Sequence, residues 1–353
     1  MAKKRATRIE RREARYRTRR DGIQRPAEVE PDAVMRVLRV PPELSGMRLD
    51  RFVQGQLRAT SRTRSQLIIR NSAFSAAGLR LKKNRRVEAE ERVILWRPPW
   101  DELAPEVDLP VVYEDDSLLA INKPPFIPVH PTARFHHSTV TMLLAAERPE
   151  DHLTLLHRLD RETSGVLLLA RTRAADRAVK IQFEARKNVL KRYLAVSWNV
   201  PSWDRHTCEL PVEQDDRSAY RVKMRVADPG GGLPSATTFE VIGRRRGQND
   251  RAYALLRCTL HTGRQHQIRV HLAALGLPLV GDKLYGPDDS LFARGADGEL
   301  TEDDRTILEL DRQALHAWDM EIDHPVSGER LRIEAPLYPD LETFWEGLEE
   351  DRS

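Results

Sequence analysis

The alternation of apolar and polar residues separates a short N-terminal part of the chain from a long C-terminal part. In the long part the apolar residues form strand-like runs, and GVLLLA at 165–170 is the clearest buried strand. AADRAVKIQFEAR at 174–186 has helical spacing, and a second helix is predicted over about 264–275, between two glycines. Further strands are predicted at 111–124, 190–198, 236–242 and 252–261. The pattern predicts an α+β fold with a mixed, mainly antiparallel sheet.

The N-terminal part consists of shorter amphipathic pieces. Residues 35–98 combine helical spacing with a basic, strand-like stretch that ends in VILW, which predicts a small α/β domain. Four prolines within 98–110 indicate an extended linker, because proline restricts itself and its predecessor to non-helical geometry. We therefore predict five segments: a basic mobile arm at 1–34, the small domain at 35–98, a linker at 99–110, a large domain at 111–345 and an acidic tail at 346–353.

Length, hydropathy and cysteine content narrow the class of protein. The apolar runs are far shorter than the roughly 18 residues that a membrane span needs. The chain opens with charged residues instead of a secretory signal, so we expect a cytoplasmic protein with no membrane partner. Cys208 and Cys258 are the two cysteines, which is too few for a disulfide framework or a zinc knuckle. We expect two buried thiols and a monomer.

Positive charge is concentrated near the N-terminus. Residues 1–20 contain ten Lys/Arg and two Glu, a net charge of +8, and residues 36–98 contain fifteen Lys/Arg and five Asp/Glu, a net charge of +10. The whole chain carries only +4, so the remainder is acidic. This distribution predicts an N-terminal third that binds a polyanion, with RNA phosphates as the candidate ligand. A basic arm that mainly aids solubility is the alternative for residues 1–34.

The segment LLHRLDRETSGVLLLAR at 155–171 is the richest in candidate chemistry. A polar loop that holds Arg158, Asp160 and Arg161 interrupts a strand-forming run, which then resumes as strongly apolar sheet. A carboxylate on a loop anchored by a buried strand is held to small tolerances, as a catalytic group must be. An Asp between two arginines is also a common structural ion pair, and spacing alone leaves both interpretations open.

Five segments in this part resemble the RluA family of RNA pseudouridine synthases, in the same order as in that family. They are INKPPFIPVHP at 121–131, HRLDRETSG at 157–165, LKRYLAV at 190–196, HTGRQHQIRVHLAALGLPLVGDKLYG at 261–286 and LHAWDMEIDHP at 315–325. The resemblance implies an isomerase that acts on RNA. It implies that Asp160 is the catalytic residue, that Tyr193 stacks on the uracil, and that Arg269 pairs with the carboxylate.

Pseudouridine formation suits these residue types. The bond from ribose to the uracil nitrogen breaks and ribose rebonds to ring carbon 5, so no redox change occurs and no cofactor is expected. A carboxylate can stabilise or trap the sugar, much as in glycosidases. Attack of Asp160 on the sugar, attack on the ring, and action as a base remain alternatives. Since the target nucleotide must leave the RNA stack, Arg158 is implied to fill the gap, and Lys123 and Arg264 are candidate phosphate contacts.

The segments GMRLDRFV at 46–53 and SRTRSQLI at 61–68 resemble the alpha-L RNA-binding domain of some ribosomal proteins and RNA-modifying enzymes. That resemblance implies phosphate contacts by Arg48, Arg62 and Arg64. Large-subunit ribosomal RNA is the expected substrate. A transfer RNA substrate, or an RNA-binding ribosome-assembly factor without catalytic activity, is the alternative.

Three histidines at 261, 266 and 271 invite a metal-dependent interpretation. Their spacing of five residues does not place them on one helix face, and no pair of carboxylates accompanies them. We therefore predict ordinary polar residues and no metal site.

Overall fold

The computed structural model divides the chain into two units, Met1–Asp101 and Glu102–Ser353. It describes residues 22–30, 33–57, 62–97, 107–131, 135, 138–247 and 250–350. Each unit has its own hydrophobic core and is described here by itself.

A three-stranded antiparallel sheet and two helices form the N-terminal unit. The elements are β1 Val34–Arg39, α1 Leu49–Gln56, α2 Arg62–Ser72, β2 Ala73–Ser75 and β3 Arg92–Arg97, with strand order β1-β3-β2. Leu49, Phe52 and Val53 of α1 are buried against the sheet, so the helix follows the apolar spacing of its sequence. Residues 24 and 28, predicted as part of a mobile arm, contact this unit: the Gln24 amide donates to the Ala76 carbonyl at 2.9 Å, and Glu28 pairs with Arg80 at 2.8 Å.

An eleven-stranded sheet dominates the C-terminal unit. Its strands and the small pair β10–β11 are β4 Val111–Glu114, β5 Leu118–Lys123, β6 Thr154–Leu155, β7 Ser164–Ala170, β8 Leu190–Trp198, β9 Arg205–Cys208, β10 Val212–Gln214, β11 Met224–Val226, β12 Thr237–Arg246, β13 Ala252–Leu260, β14 Leu315–Asp323, β15 Arg330–Glu334 and β16 Glu349–Glu350. The strand order is β16-β12-β13-β8-β14-β7-β5-β4, with β9, β15 and β6 paired to β12, β14 and β7. Neighbouring strands are antiparallel except for β7 and β14. The predicted fold class is confirmed.

Strand β7 lies at the centre of this sheet and is buried on both faces. Leu167 and Leu169 pack into one hydrophobic core, whereas Val166 and Leu168 pack into the other. This burial explains the continuous apolar run in its sequence, since a strand covered on only one face would alternate. The loop before β7 carries Asp160, so the sheet centre fixes the position of that residue.

Six helices in the described part of this unit cover the sheet or its edges. They are α3 Val140–Glu147, α4 Arg173–Ala185, α5 Gln267–Ala274, α6 Ser290–Asp297, α7 Glu302–Leu308 and α8 Pro339–Glu346. The sequence pattern predicted only α4 and α5, and the other four helices, of seven or eight residues each, were not predicted.

Two predicted boundaries differ from the structure. Residues 107–110, predicted as the end of a linker, belong to the C-terminal unit, because Leu109 is buried in its core and the Pro110 carbonyl accepts a hydrogen bond from the Asn122 amide. The predicted acidic tail also joins the sheet, since Glu349 and Glu350 pair with Arg246 and Arg245 of β12.

Candidate active site

The loop that carries Asp160 is held tightly against strand β14. Gly165, at the start of β7, has φ +112, and a Cβ at this position would lie 2.2 Å from the Ala317 carbonyl oxygen. Only glycine permits this conformation and this approach. The Asp160 carbonyl accepts a hydrogen bond from the Thr163 amide at 3.2 Å, which closes the loop just before the strand.

Buried side chains from distant parts of the unit contact the Asp160 loop on the side that faces the interior. The Lys123 ammonium donates to the carbonyl oxygen of Arg161 at 3.1 Å. A guanidinium nitrogen of Arg312 donates to the Glu162 carbonyl at 3.3 Å, and the Gln313 amide donates to the Thr163 hydroxyl at 2.9 Å. The backbone around Asp160 is therefore fixed by hydrogen bonds on the side that faces away from solvent.

The prediction that Lys123 contacts an RNA phosphate is wrong. Its side chain is completely buried, and its ammonium also donates to the carbonyls of Pro124 and Ile127 at 2.6 and 3.0 Å. Burial, and to a smaller extent the charge of Arg312, lower its pKa to about 7. An ammonium in this position cannot reach RNA, and its role is to support the loop.

Arg269 connects Asp160 to a second, fully buried carboxylate. One guanidinium nitrogen donates to Asp160 Oδ2 at 3.1 Å, and two others donate to Asp282 at 2.7 and 2.8 Å. Asp282 also accepts hydrogen bonds from the amides of Leu284 and Tyr285 at 2.9 and 3.0 Å. This bidentate contact fixes the plane of the guanidinium, so that its remaining donor points at Asp160.

The charge of Asp160 is set by its surroundings. Burial by itself would raise the pKa of this carboxyl, but the charges of His266, in its protonated form, and of Arg269 lower it below its usual value. Burial and the Arg269 charge lower the pKa of His266 to about 4, so this imidazole is neutral at pH 7. Arg269 is therefore the cation that keeps Asp160 ionised at neutral pH.

His266 is a site residue that the sequence analysis missed. Its Nδ1 lies 2.8 Å from the Tyr285 hydroxyl oxygen, and that oxygen accepts a hydrogen bond from the Met224 amide at 2.8 Å. With one lone pair of that oxygen used by Met224, we infer that the hydroxyl proton is directed to Nδ1 and that the ring proton is on Nε2. Nε2 lies 3.7 Å from Asp160 Oδ2, so its N–H group faces the same space as the carboxylate.

The backbone of His266 also distinguishes it from an ordinary polar residue. It precedes α5 and has φ 55, in the left-handed region that side chains other than glycine rarely adopt. Because His266 lies before the helix, helical spacing in the sequence gave no signal for its contact with Asp160.

Tyr193 and Asp160 line one cavity of about 330 Å³, together with Arg269 and His266. Tyr193 lies on β8 between Cys258 of β13 and Ala317 of β14, and only 8% of it is exposed. Burial raises the pKa of its phenol well above the usual value, so the ring is neutral. The cavity thus combines a charged carboxylate with a flat, neutral ring.

Comparison with known proteins identifies the family. A sequence model described as RNA pseudouridylate synthase matches residues 117–274. The chain is 32% identical to ribosomal large subunit pseudouridine synthase D of Pseudomonas aeruginosa over 91% of this chain and 98% of that protein. It is 39% identical to the protein of the same name from Xanthomonas campestris over 70% of this chain and 71% of that one. The chain belongs to the RluA family of RNA pseudouridine synthases. Both the predicted family and the predicted class of enzyme, an RNA isomerase, are confirmed.

A solved structure agrees with this fold. Human RNA Pseudouridylate Synthase Domain Containing 1 superposes with a TM-score of 0.55 and 25% sequence identity, covering 69% of this chain and 89% of that one. The two proteins therefore share an overall fold over the matched part of the chain.

Arg158 and Arg264, the remaining predicted site residues of the synthase domain, line the cavity that contains Asp160. Arg158 is exposed, lines the cavity, and also lines a neighbouring cavity of about 460 Å³ on the other side of Asp160. No residue in the described ranges forms a hydrogen bond or ion pair with its side chain, so the structure gives no support to the alternative of a structural ion pair. Arg264 lines the first cavity, with its Nε donating to the Pro234 carbonyl at 3.2 Å.

The predicted phosphate contacts of the N-terminal unit already have a carboxylate partner. Arg48 donates two hydrogen bonds of 3.1 Å to the buried Asp50, and Arg62 lies 3.4 Å from the same carboxylate. Their side chains are still 39% and 52% exposed. Arg64 was predicted with them, but its side chain lies outside the described residues. RNA contact by these arginines stays a prediction.

The three histidines that were predicted not to bind a metal, at 261, 266 and 271, contact different partners. His261 bonds to the Thr238 hydroxyl at 2.8 Å, and His271 bonds to the Thr237 hydroxyl at 3.0 Å. Among the residues that the structure describes, no three His, Cys, Asp or Glu side chains are grouped so that they could hold a metal ion. Across these same residues, no helix of the synthase has the length and apolarity needed to cross a membrane.

Proposed function

We propose that this synthase isomerises specific uridines of large-subunit ribosomal RNA, with Asp160 as the catalytic carboxylate. Bacterial relatives that are 32–39% identical carry the name ribosomal large subunit pseudouridine synthase D, which supports this substrate. The observation that carries the catalytic assignment is the 3.1 Å contact from Arg269 to Asp160 in the wall of a cavity. This contact keeps the carboxylate charged and directed while one side of it stays open.

The open side of Asp160 matches the chemistry of the reaction. Positive charge develops on the ribose as the bond to the uracil nitrogen breaks, and an ionised carboxylate nearby can stabilise that centre or bond to it. The ring of Tyr193 offers a flat surface to the uracil. The N–H of His266 is directed into the same space, and we infer that it donates a hydrogen bond to a carbonyl or hydroxyl oxygen of the target nucleotide.

Extrusion of the target nucleotide is the second requirement. Flipping a nucleotide out of an RNA helix costs a few kcal/mol, which contacts to the remaining RNA must offset. Arg158 is exposed beside the cavity and forms no hydrogen bond or salt bridge with a described residue, although its charge acts on Asp160, so its side chain can move into the vacated position. Arg264 lines the cavity and is proposed to contact a flanking phosphate.

The N-terminal unit is proposed to function as an alpha-L domain and to bind the same ribosomal RNA as the synthase unit. Its net charge and the exposed parts of the Arg48 and Arg62 side chains support this role. We further propose that the enzyme works in the cytoplasm, because ribosomal RNA is found there, and that it is a monomer. It is also proposed to need no cofactor, because the reaction is an isomerisation.

The substrate assignment is tested by incubating the wild-type protein with large-subunit ribosomal RNA and, separately, with a transfer RNA mixture. Pseudouridine is then mapped in both, and in RNA from cells that lack the gene. We expect new pseudouridine in the ribosomal RNA and its loss from those cells. Modification of transfer RNA alone would overturn the substrate, and binding without any isomerisation would indicate an assembly factor instead.

A further inference from the structure

A further cavity of about 490 Å³, called the second cavity below and distinct from the 460 Å³ cavity beside Arg158, adjoins the one that holds Asp160 and Tyr193. The two cavities share Lys191, Leu260 and Gly263 in their walls. Because the walls are shared, a strand of RNA with one nucleotide in the first cavity can place its next backbone group in the second. The second cavity has no role in the mechanism described above.

The lining of this second cavity is cationic. Arg186, Lys191 and Arg330 contribute to it, and none of its lining residues in the described part of the chain is Asp or Glu. Arg330 is paired with Glu321 and Asp323, whose carboxylates do not line the cavity. A cavity with several positive groups and no negative one favours an anion.

Lys191 is the most informative of these residues. It lies two positions before Tyr193 on β8, so both side chains project from the same face of the strand. Its ammonium nitrogen lies 3.7 Å from the ring centroid of Phe183, another residue that lines the second cavity. No described residue gives this ammonium a hydrogen bond or a carboxylate, and burial lowers its pKa to about 8. The Lys191 side chain is half-buried, and a partly desolvated cation without an anionic partner is unfavourable, so a bound anion would offset that cost.

Arg186 faces the same cavity from a loop with a fixed backbone. Arg186 and Asn188 both adopt the left-handed conformation, with φ 52 and φ 56. The loop is held because the Asn188 amide donates to Asp323 at 2.7 Å and the Asn188 carbonyl accepts a hydrogen bond from Arg330. Arg186 ends helix α4 in this conformation, which is a common way for a helix to terminate. The Arg186 guanidinium has no partner among the described side chains.

We propose that this cavity binds a phosphate group of the substrate RNA, next to the nucleotide that enters the catalytic cavity, through Lys191 and Arg186. The proposal rests on the proposed function, which supplies an RNA strand to the neighbouring cavity. A phosphodiester fits because it is a compact anion with several acceptor oxygens, which an ammonium and a guanidinium can share. A stacked base is disfavoured, since the ammonium of Lys191 already lies over the Phe183 ring.

The test compares Arg186→Gln and Lys191→Gln with the wild type. Lys187→Gln is the matched control, since Lys187 is exposed beside Arg186 and does not line the cavity. The dissociation constant for large-subunit ribosomal RNA is measured over a series of salt concentrations. Each of the two cavity variants is expected to bind about tenfold more weakly, as for the loss of one charge-assisted contact. Each is also expected to reduce the slope of log K against log salt by about 1, whereas the control changes neither.

Two outcomes would overturn the proposal. An equal effect of Lys187→Gln would mean that only general surface charge matters. Unchanged dissociation constants in the cavity variants would mean that the cavity binds no phosphate. If Lys191→Gln then slows turnover alone, Lys191 acts on the uracil instead. Isomerisation by the wild type is measured in the same samples. A wrong substrate therefore appears as missing pseudouridine in the wild type, and a wrong phosphate site appears as unchanged binding by the variants.

Discussion

Each unit of this protein contains an aspartate beside arginines, and the two sites differ in how fully the carboxylate is buried and bonded. In the N-terminal unit Asp50 is completely buried, and its oxygens accept hydrogen bonds from Arg48, from Arg62, from the Gln66 side chain at 3.0 Å and from the Arg51 amide at 3.0 Å. In the C-terminal unit the Asp160 carboxylate has one such bond among the described residues, from Arg269. The side chain of Asp160 is 25% exposed.

Comparison of Asp50 with Asp160 shows which property distinguishes a candidate catalytic carboxylate from a structural one. Ionisation does not distinguish the two residues: hydrogen bonds from Arg48 chiefly lower the pKa of Asp50, and the pKa of Asp160 is lowered as well. What differs is unused acceptor capacity facing a cavity. Asp50 has none left, whereas Asp160 can still engage a ligand. We therefore interpret Asp50 as structural and Asp160 as reactive.

Asp160→Asn should have the largest effect on activity. The amide keeps the shape and can still accept the hydrogen bond from Arg269, but it cannot stabilise or trap the sugar. We expect a loss of turnover on the order of 10⁴-fold or more, as for removal of a reacting group in other enzymes. Single-turnover assays on ribosomal RNA measure this, and circular dichroism checks the fold. Turnover close to that of the wild type would exclude the proposed role of Asp160.

Arg269→Lys tests whether the direction of the cation matters in addition to its charge. Lysine cannot bond to Asp282 and Asp160 together in a fixed fork, so the carboxylate would lose its alignment. We expect turnover to fall by about 100-fold, the scale of a misplaced reacting group. Arg294→Lys is the control, because Arg294 makes the same bidentate contact with Asp304, at 2.9 and 2.8 Å, away from the cavity. Equal losses in both variants would contradict a positioning role.

Tyr285→Phe should have a moderate effect through His266. Without the hydroxyl, the His266 proton is no longer confined to Nε2, and the donor that faces Asp160 is lost part of the time. We expect turnover to fall about 3- to 10-fold, equivalent to a net hydrogen bond of about 0.5–1.5 kcal/mol. Tyr113→Phe is the matched control, since it removes a 2.6 Å hydrogen bond to Asp115 far from this cavity. If the two variants behave alike, the assignment of the His266 proton is wrong.

Asp50→Asn should leave turnover within about twofold of the wild type while lowering stability. The amide loses its charge-assisted bonds and turns an N–H group toward donors, so we expect the free energy of unfolding to fall by about 1–3 kcal/mol. Chemical denaturation of the full chain, followed by a probe in the N-terminal unit, measures this change. A loss of turnover comparable to that of Asp160→Asn would remove the distinction between the two carboxylates.

Acidification from pH 6.5 to pH 5 should change turnover least of all. The lowered pKa of Asp160 keeps its carboxylate ionised as the pH falls, and the pKa of about 4 keeps His266 neutral through the same range. Neither group changes its charge in this window. Turnover measured at saturating RNA should vary less than about twofold. A decline with an apparent pKa near 6.5 would show that a histidine titrates in the mechanism.

Local sequence was sufficient where one segment determines the structure. The apolar run of β7 predicted a buried strand, and the structure confirms it, because strand burial is encoded in a short stretch of chain. The family resemblance pointed to Asp160, Tyr193 and Arg269, which line one cavity, and their catalytic roles stay predictions.

Other features depend on residues far apart in the chain. The burial of Lys123 depends partly on the carbonyl of Arg161, and the role of His266 depends on the hydroxyl of Tyr285. The sequence alone does not show that Lys123 is buried away from RNA. It also does not show which groups contact the two ring nitrogens of His266. Such information appears only once the tertiary structure is known.

The pairing of Ser164 and Gly165 with His316 and Ala317 has a consequence for the order in which the enzyme becomes active. Every proposed catalytic group lies before residue 270, yet the loop around Asp160 is secured by β14 and by Arg312. During synthesis the ribosome releases the reactive residues long before the strand that fixes them, and contacts so distant in sequence form late. We therefore expect a nascent chain that already contains every proposed catalytic residue to stay inactive until its last strands fold.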